Sequence, residues 1–429
     1  MLLDSRVALW CAFLVVHLVY GLVNLYSASN PFGDVRVVYP AWLDEALQAH
    51  YVVGIDGPWV YPVLALVPMF AARLFGADLY PNTWLSMILA LDAIALGALT
   101  GWGRRGRSLA AGWWWTAFLA ALGPIAIGRI DAVTVPIGIV ALLFLARRPR
   151  LSAALLAIAT WIKVWPAAII GALLVASRHR LLVLGGALIT SGLVIAIALV
   201  FGSGWNVLSF ITEQTDRGLQ IEAPVSTFWM WLAAAGHPGS YVYYDRTILT
   251  FQIAGRGTSV ASALMNPVLA VAVVVVVLLA VRIVVRGRGD RIVPLVALAL
   301  VATLIVFNKV GSPQYISWLA VPVVAAVAAG GRTRSDMRMP GRLVLLIAAL
   351  TQLVYPYLYD YLVTAQPLLV VILTARNLLL VALFGLCLAE LSRLGGRAGD
   401  PATVPDPLPD PVAEPAAWPF SPEAERPTR

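Results

Sequence analysis

The chain has 429 residues, 60% of them hydrophobic and only 12% charged. Soluble domains carry about 25% charged residues, so this composition excludes an ordinary soluble protein and points to a polytopic membrane one. The net charge of +8 is read as topological, from arginines held on one side of a bilayer, and not as a nucleic-acid surface.

Apolar runs mark membrane spans, and arginine clusters mark their cytoplasmic ends. The first span is 7–26, behind Arg6. It is longer than a signal h-region and lacks a small-residue cleavage site, so it is read as a true span. The first outer loop, 27–79, follows. It carries Asp34, Asp44, Glu45 and Asp56 among Arg36, His50 and several tyrosines and tryptophans. Its apolar stretch 62–76 contains Pro68 and Arg73 and is short for a crossing. A crossing there would also place Arg104, Arg105 and Arg107 outside, so it is read as a re-entrant or interfacial helix.

Further spans are expected at 80–99, 109–127 and 132–146, the last returning to the basic 147–150. Residues 151–177 lie between two basic clusters and must cross an even number of times. Lys163 and Pro166 near their middle suggest two short helices meeting at Lys163, a break tolerated only inside protein or beside a wet cavity. A span at 181–201 leads to a second outer segment, 202–264, with two short amphipathic stretches. Spans at 265–285, 292–307, 316–329, 343–358 and 370–391 complete the pattern. The expectation is an all-α polytopic fold of about 12 transmembrane helices over residues 1–394, both termini cytoplasmic. The tail 395–429 is rich in Pro, Ala, Asp and Glu and is read as disordered and cytoplasmic. Cys11 and Cys387 lie in apolar runs and form neither a metal motif nor a disulfide framework.

The sequence has 28 arginines but two lysines, Lys163 and Lys309, each at an expected outer helix end beside a proline. Either the ammonium snorkels to the headgroups, or it sits in a wet pocket and binds an anion such as phosphate. Three outer stretches then stand together: 33–42 with Asp56 and 59–62, residues 216–222, and 308–319 with its Ser312-Pro313-Gln314-Tyr315 run.

This pattern resembles the GT-C superfamily of membrane glycosyltransferases, and most of all glycosyltransferase family 87, which includes actinobacterial polyprenol-phosphate-mannose-dependent mannosyltransferases. The resemblance covers the layout of roughly residues 7–393. It departs at Tyr61-Pro62-Val63, where many relatives have a double proline. It implies a polyprenyl-phosphate sugar donor, a glycolipid or glycan acceptor on the extracytoplasmic face of the plasma membrane, and Asp34 as catalytic base. Mannose as the sugar, and a place in cell-envelope glycolipid biosynthesis, rest on the resemblance alone.

The chemistry is coherent without the name. Transfer from a phosphate-linked sugar has an oxocarbenium-like transition state. The leaving group is already an anion and needs cations more than a general acid, while the acceptor hydroxyl needs one base. Asp34 fills the base role, against the reading that it only caps a helix. Lys309 is expected as the main phosphate contact, with Lys163, Arg129 and Arg217 beside it. Arg129 and Asp131 are alternatively a local ion pair. Substrate contacts are expected from Arg36, Tyr39, Asp56, Gln220, Glu222, Ser312, Gln314 and Tyr315, though Asp56 also suits a simple turn. Asp44 and Glu45 read as the solvated face of an interfacial helix. Tyr355, Tyr357, Tyr359 and Tyr361 read as an aromatic belt or as the lining of a lipid or sugar groove. No nucleotide-binding motif is present, and neither a cofactor nor a divalent metal is called for, since the outer acids have no metal-ligand spacing. The rival from another class is a lipid-linked sugar flippase. Against it, the two halves show no internal repeat, a common feature of transporters.

Overall fold

The computed structural model describes residues 4–102, 109–213, 217–287 and 289–396. The tail from 397, the arginines at 104, 105, 107 and 288, and Asp216 lie outside the described residues. The chain is mostly helical. In order, the helices are α1 (Arg6–Tyr26), α2 (Tyr39–Gln48), α3 (Leu66–Ala72), α4 (Tyr80–Leu99), α5 (Ala110–Leu122) and α6 (Asp131–Phe144). There follow α7 (Pro149–Ile162), α8 (Ala167–Ala176), α9 (Arg180–Val200), α10 (Thr227–Ala234), α11 (Thr258–Val284) and α12 (Gly289–Val306). The last five are α13 (Ala320–Ala329), α14 (Gly331–Asp336), α15 (Arg338–Gln352), α16 (Tyr359–Val363) and α17 (Pro367–Gly396). Among the described residues, seven helices are long and apolar enough to cross a membrane: α1, α4, α9, α11, α12, α15 with its extension to Tyr357, and α17. This is a helical membrane protein. The helices of 10 to 17 residues, among them α6, α7 and α8, pack inside the same bundle.

Two ends can be told apart by what joins the helices. At one end Arg178 pairs with Asp290 at 3.3 Å and Arg291 with Asp336 at 2.7 Å, so the basic connections after α8, α11 and α13 meet there. The start of α1 is at the same end as the finish of α4, through the Arg6 guanidinium donating to the Thr100 carbonyl at 3.2 Å. At the other end Asn24 donates to the Pro124 carbonyl and Trp84 to that of Ile127. Helices α1 and α4 are therefore antiparallel neighbours, and residues 62–76 begin and finish at this second end. Their α-helical part, α3, has seven residues, about 10 Å at 1.5 Å per residue, which is too short to cross.

Inside the α1–α4 contact lies a polar pair with no place in a hydropathy plot. His17 Nε2 is 3.0 Å from Asp92 Oδ2, and His17 Nδ1 is 3.0 Å from the Phe13 carbonyl. Both side chains are buried. The pair shares a proton between two groups that could not each be left unpartnered in an apolar bundle.

The helix breaks follow local chemistry. The expected span 109–127 stops as an α-helix at Leu122, because Gly123 turns to φ +80° and Pro124 cannot continue the ladder. Residues 123–126 close as a 3₁₀ turn. Helices α7 and α8 meet around Lys163, whose extended backbone ends the first while Pro166 starts the second. The 202–264 segment contains α10 and one antiparallel hairpin, β1 (Tyr241–Asp245) and β2 (Thr250–Ala254), where two amphipathic stretches are expected from the sequence. The β-branched and aromatic run at 241–244 favours a strand, and its root is fixed by Ile221 N–H to the Phe251 carbonyl and Ile253 N–H to that of Leu219.

Candidate functional site

The connections at the end opposite the arginine pairs enclose a cavity of about 460 Å³, within the range of small-molecule sites. Seven separate chain segments reach it: 34–61, Arg129, Lys163, Glu213 with 217–222, the hairpin tip, 312–315, and Tyr355 with Tyr359. Segments remote in sequence are welded at its edges. The Trp59 amide donates to Ser209 Oγ at 2.8 Å, and Asn206 to the Ile55 carbonyl at 2.8 Å. Gln220 Oε1 takes hydrogen bonds from the Gly311 amide and Ser312 Oγ, both at 3.1 Å, and the Gln220 backbone N–H donates to the Lys309 carbonyl. A glycine is needed at 311, because a Cβ there would fall on the backbone of Glu222 and Ala223.

Asp34 opens a single π-helical turn, 34–38, between the end of α1 and α2. Its Oδ2 lies 3.1 Å from Arg129 Nε, and about a third of its side chain is exposed toward the cavity. Arg129 is the organising cation. Its Nη1 donates to the Pro31 and Gly128 carbonyls at 2.6 and 2.9 Å, and its Nη2 to the Tyr355 hydroxyl at 2.8 Å. Burial works against its charge, but the Asp34 carboxylate and the surrounding tyrosines raise its pKa overall. The local Arg129–Asp131 pair is not what forms. Asp131 starts α6, where the helix dipole favours an anion, and accepts from Trp318 Nε1 at 2.6 Å. Trp318 is sandwiched by Trp165 and Tyr315.

Lys163 faces the cavity from the α7–α8 break. Its ammonium sits 4.2 Å from the centre of the Tyr61 ring and 5.9 Å from that of Tyr315, a cation–π arrangement. Burial works against its charge, and the carboxylates of Asp131 and Asp34 support it from a distance. Arg217 completes the cationic side, with its Nε buried and unpartnered. The Tyr61 hydroxyl is held protonated by burial and by the nearby charges of Asp34 and Asp131. The Asp34 carboxylate and three cations thus line one space, with Glu213 and Glu222 also on its wall.

Of the residues singled out in the sequence, Asp34, Arg129, Lys163, Arg217, Gln220, Glu222, Ser312, Gln314 and Tyr315 line the cavity. Five others are elsewhere. Lys309, expected as the main phosphate contact, lines an adjoining cavity of about 400 Å³ that shares Arg217 with the first. Arg36 reaches back to the Leu25 carbonyl. Tyr39 is buried beneath the loop and accepts from the Ile130 amide at 3.0 Å. Asp56 is exposed and closes its own turn by accepting from the Val52 amide at 2.7 Å. Asp44 pairs with Arg73 at 2.7 Å.

Tyr355 and Tyr359 face the cavity while Tyr357 and Tyr361 are exposed, so the aromatic run divides between the two roles open to it. Three features escape a sequence reading: the hairpin tip, the ring of Tyr61 under Lys163, and Arg376. Arg376 is buried within α17 and donates to the Glu222 main-chain carbonyl and to Asn377 Oδ1. A lone Arg-Asn in an apolar run is the signal for it, since ionisable residues at membrane depth are functional candidates.

Among the described residues no group of three or more His, Cys, Asp or Glu gathers as a metal site. No family model matches the chain, and no curated protein or solved structure matches it.

Proposed function

We propose that this protein is an inverting glycosyltransferase of the GT-C type that moves a sugar, mannose by the resemblance to family 87, from a polyprenyl phosphate to a hydroxyl of a glycolipid or glycan. The observation that carries the reading is the partly exposed Asp34 carboxylate, paired with Arg129 and sharing a cavity with Lys163 and Arg217. The shorter helices α5, α6, α7, α8 and α13, added to the seven long ones, give twelve passes, with the basic connections cytoplasmic and the cavity extracytoplasmic at the plasma membrane.

In this mechanism the acceptor oxygen attacks the anomeric carbon while Asp34 takes its proton. The bond between that carbon and the phosphate oxygen breaks, and the electron pair leaves with the polyprenyl phosphate. Lys163, Arg129 and Arg217 receive that anion; fixed cations in a water-poor site stabilise developing charge without reorganisation. A single displacement inverts the anomeric centre. Arg129 holds one Asp34 oxygen and so orients the other.

The test is purified protein in liposomes, given labelled polyprenyl-phosphate mannose and envelope glycolipids. Transfer that depends on the polyprenyl-linked donor supports the reading. Movement of the lipid-linked sugar across the bilayer with no transfer would favour a flippase instead.

A further inference from the structure

The charged groups occupy only part of the cavity wall. Gln220, Glu222, Gln314, Tyr355 and Tyr359 form another part of it; of the two acids on the wall besides Asp34, Glu213 is exposed and Glu222 is buried. Its surroundings do not suit a carboxylate. The side chain is 1% exposed. Oε1 accepts from the Tyr359 hydroxyl at 2.6 Å, while Oε2 is buried with no partner. The adjacent cation, Arg376, spends its Nη2 on the Glu222 main-chain carbonyl and on Asn377. An ionised carboxylate with one orphaned oxygen, unpaired by that guanidinium, is costly in such a place. A neutral acid is not: Oε1 accepts from Tyr359, and the proton on Oε2 is free to donate.

We propose that Glu222 is a substrate-recognition residue that remains a neutral carboxylic acid and donates its Oε2 proton to a hydroxyl oxygen of the sugar carried on the lipid phosphate. This deepens the glycosyltransferase reading and rests on it. Uncharged donors and acceptors are what recognise a polyol, and an unmade bond to a buried polar group discriminates strongly. Gln220, with its Oε1 already held by Gly311 and Ser312, sets its side chain beside Glu222 on the same wall. Burial raises the Glu222 pKa, outweighing hydrogen bonds from Tyr359, its own backbone and the Gln220 side chain and the charge of Arg376. The other titratable or charged groups around it are Tyr355, Tyr315, Arg376 and, on its own segment, Arg217. As pH rises through the raised Glu222 pKa, the donated proton and the sugar contact are lost together.

The experiment measures binding of polyprenyl phosphate and of polyprenyl-phosphate mannose to the full chain in nanodiscs, from mildly acidic to alkaline buffer. Glu222→Ala is expected to weaken the mannosylated lipid about 10- to 100-fold and to leave the bare phosphate lipid unchanged. Glu222→Gln, which keeps a donor, is expected to bind like wild type at the acidic end of the range and to lose the decline with rising pH. Equal weakening of both lipids by Glu222→Ala, or a Glu222→Gln variant as weak as the alanine one, overturns the assignment. A wild type that binds the mannosylated lipid no better than the bare one also overturns it, leaving the phosphate cradle intact. A wild type that binds neither lipid overturns the glycosyltransferase reading as well. Thermal unfolding of Glu222→Gln guards against a folding defect.

Discussion

Lys163→Met is the most discriminating change to the cationic side. It keeps the length of the side chain and removes the charge. The ammonium lies against Tyr61 at 4.2 Å from the ring centre and faces the cavity, so its charge is placed to meet a ligand. Two unit charges about 4 Å apart attract by about 4 kcal/mol at an effective dielectric of about 20. Desolvation takes back part of this, leaving about 1.5–3 kcal/mol for a hydrogen bond to a charged group. That is about 10- to 150-fold in affinity. The cation–π contact exists with and without ligand and cancels to first order. Lys163→Met should therefore raise the KM for polyprenyl-phosphate mannose by that factor, whereas Lys163→Arg should recover part of it. Lys309→Met, in the adjoining cavity, should change KM less than about threefold, which is under about 0.7 kcal/mol. The assay is radiolabelled transfer in reconstituted membranes over a donor titration. An unchanged KM for Lys163→Met, or a larger effect from Lys309→Met, would refute the placement of the phosphate.

Three further outcomes follow from the structure. Gly311→Ala, which drives a Cβ into the 222–223 backbone, should cost about 1–3 kcal/mol and lower the thermal midpoint of the purified protein; a midpoint equal to wild type would contradict the close approach. His17→Ala should cost about 3–5 kcal/mol by leaving buried Asp92 unpaired, and adding Asp92→Leu should recover part of that loss; strictly additive losses in a denaturant series would count against the pair. Because the Glu222 pKa is raised from its ordinary value of 4.5, the folded state holds that proton more tightly than the unfolded one. Its contribution to stability is complete below about 4.5 and is lost as pH rises through the folded value. Glu222→Gln should therefore gain stability relative to wild type as pH rises above the ordinary glutamate range. A pH-independent difference in thermal midpoint would show that Glu222 is ionised in the folded protein.

Hydropathy and arginine bias reveal much of this molecule because a bilayer constrains helix length and charge placement so tightly. Span 80–99 coincides with α4, and the break at Lys163 is announced by a lysine and a proline inside an apolar run. What the sequence does not encode locally is pairing at a distance. Arg129 has Asp131 two residues away, yet it pairs with Asp34, because the π-turn after α1 brings that carboxylate to its Nε. Lys163 and Lys309 look alike in sequence, each beside a proline at a helix end. Their fates diverge because the Lys309 carbonyl is fixed to the Gln220 amide, and its side chain lines the adjoining cavity. The hairpin was hidden by its setting among short amphipathic pieces, since strand formation depends on partners more than on intrinsic preference.

In the proposed reaction Asp34 takes the proton from the acceptor hydroxyl. Asp34→Asn keeps the size of the side chain and its contact with the cavity but removes the base. Transfer from polyprenyl-phosphate mannose should fall about 100-fold or more in kcat, with donor binding retained and normal expression. Transfer by Asp34→Asn at the wild-type rate would rule out Asp34 as the base.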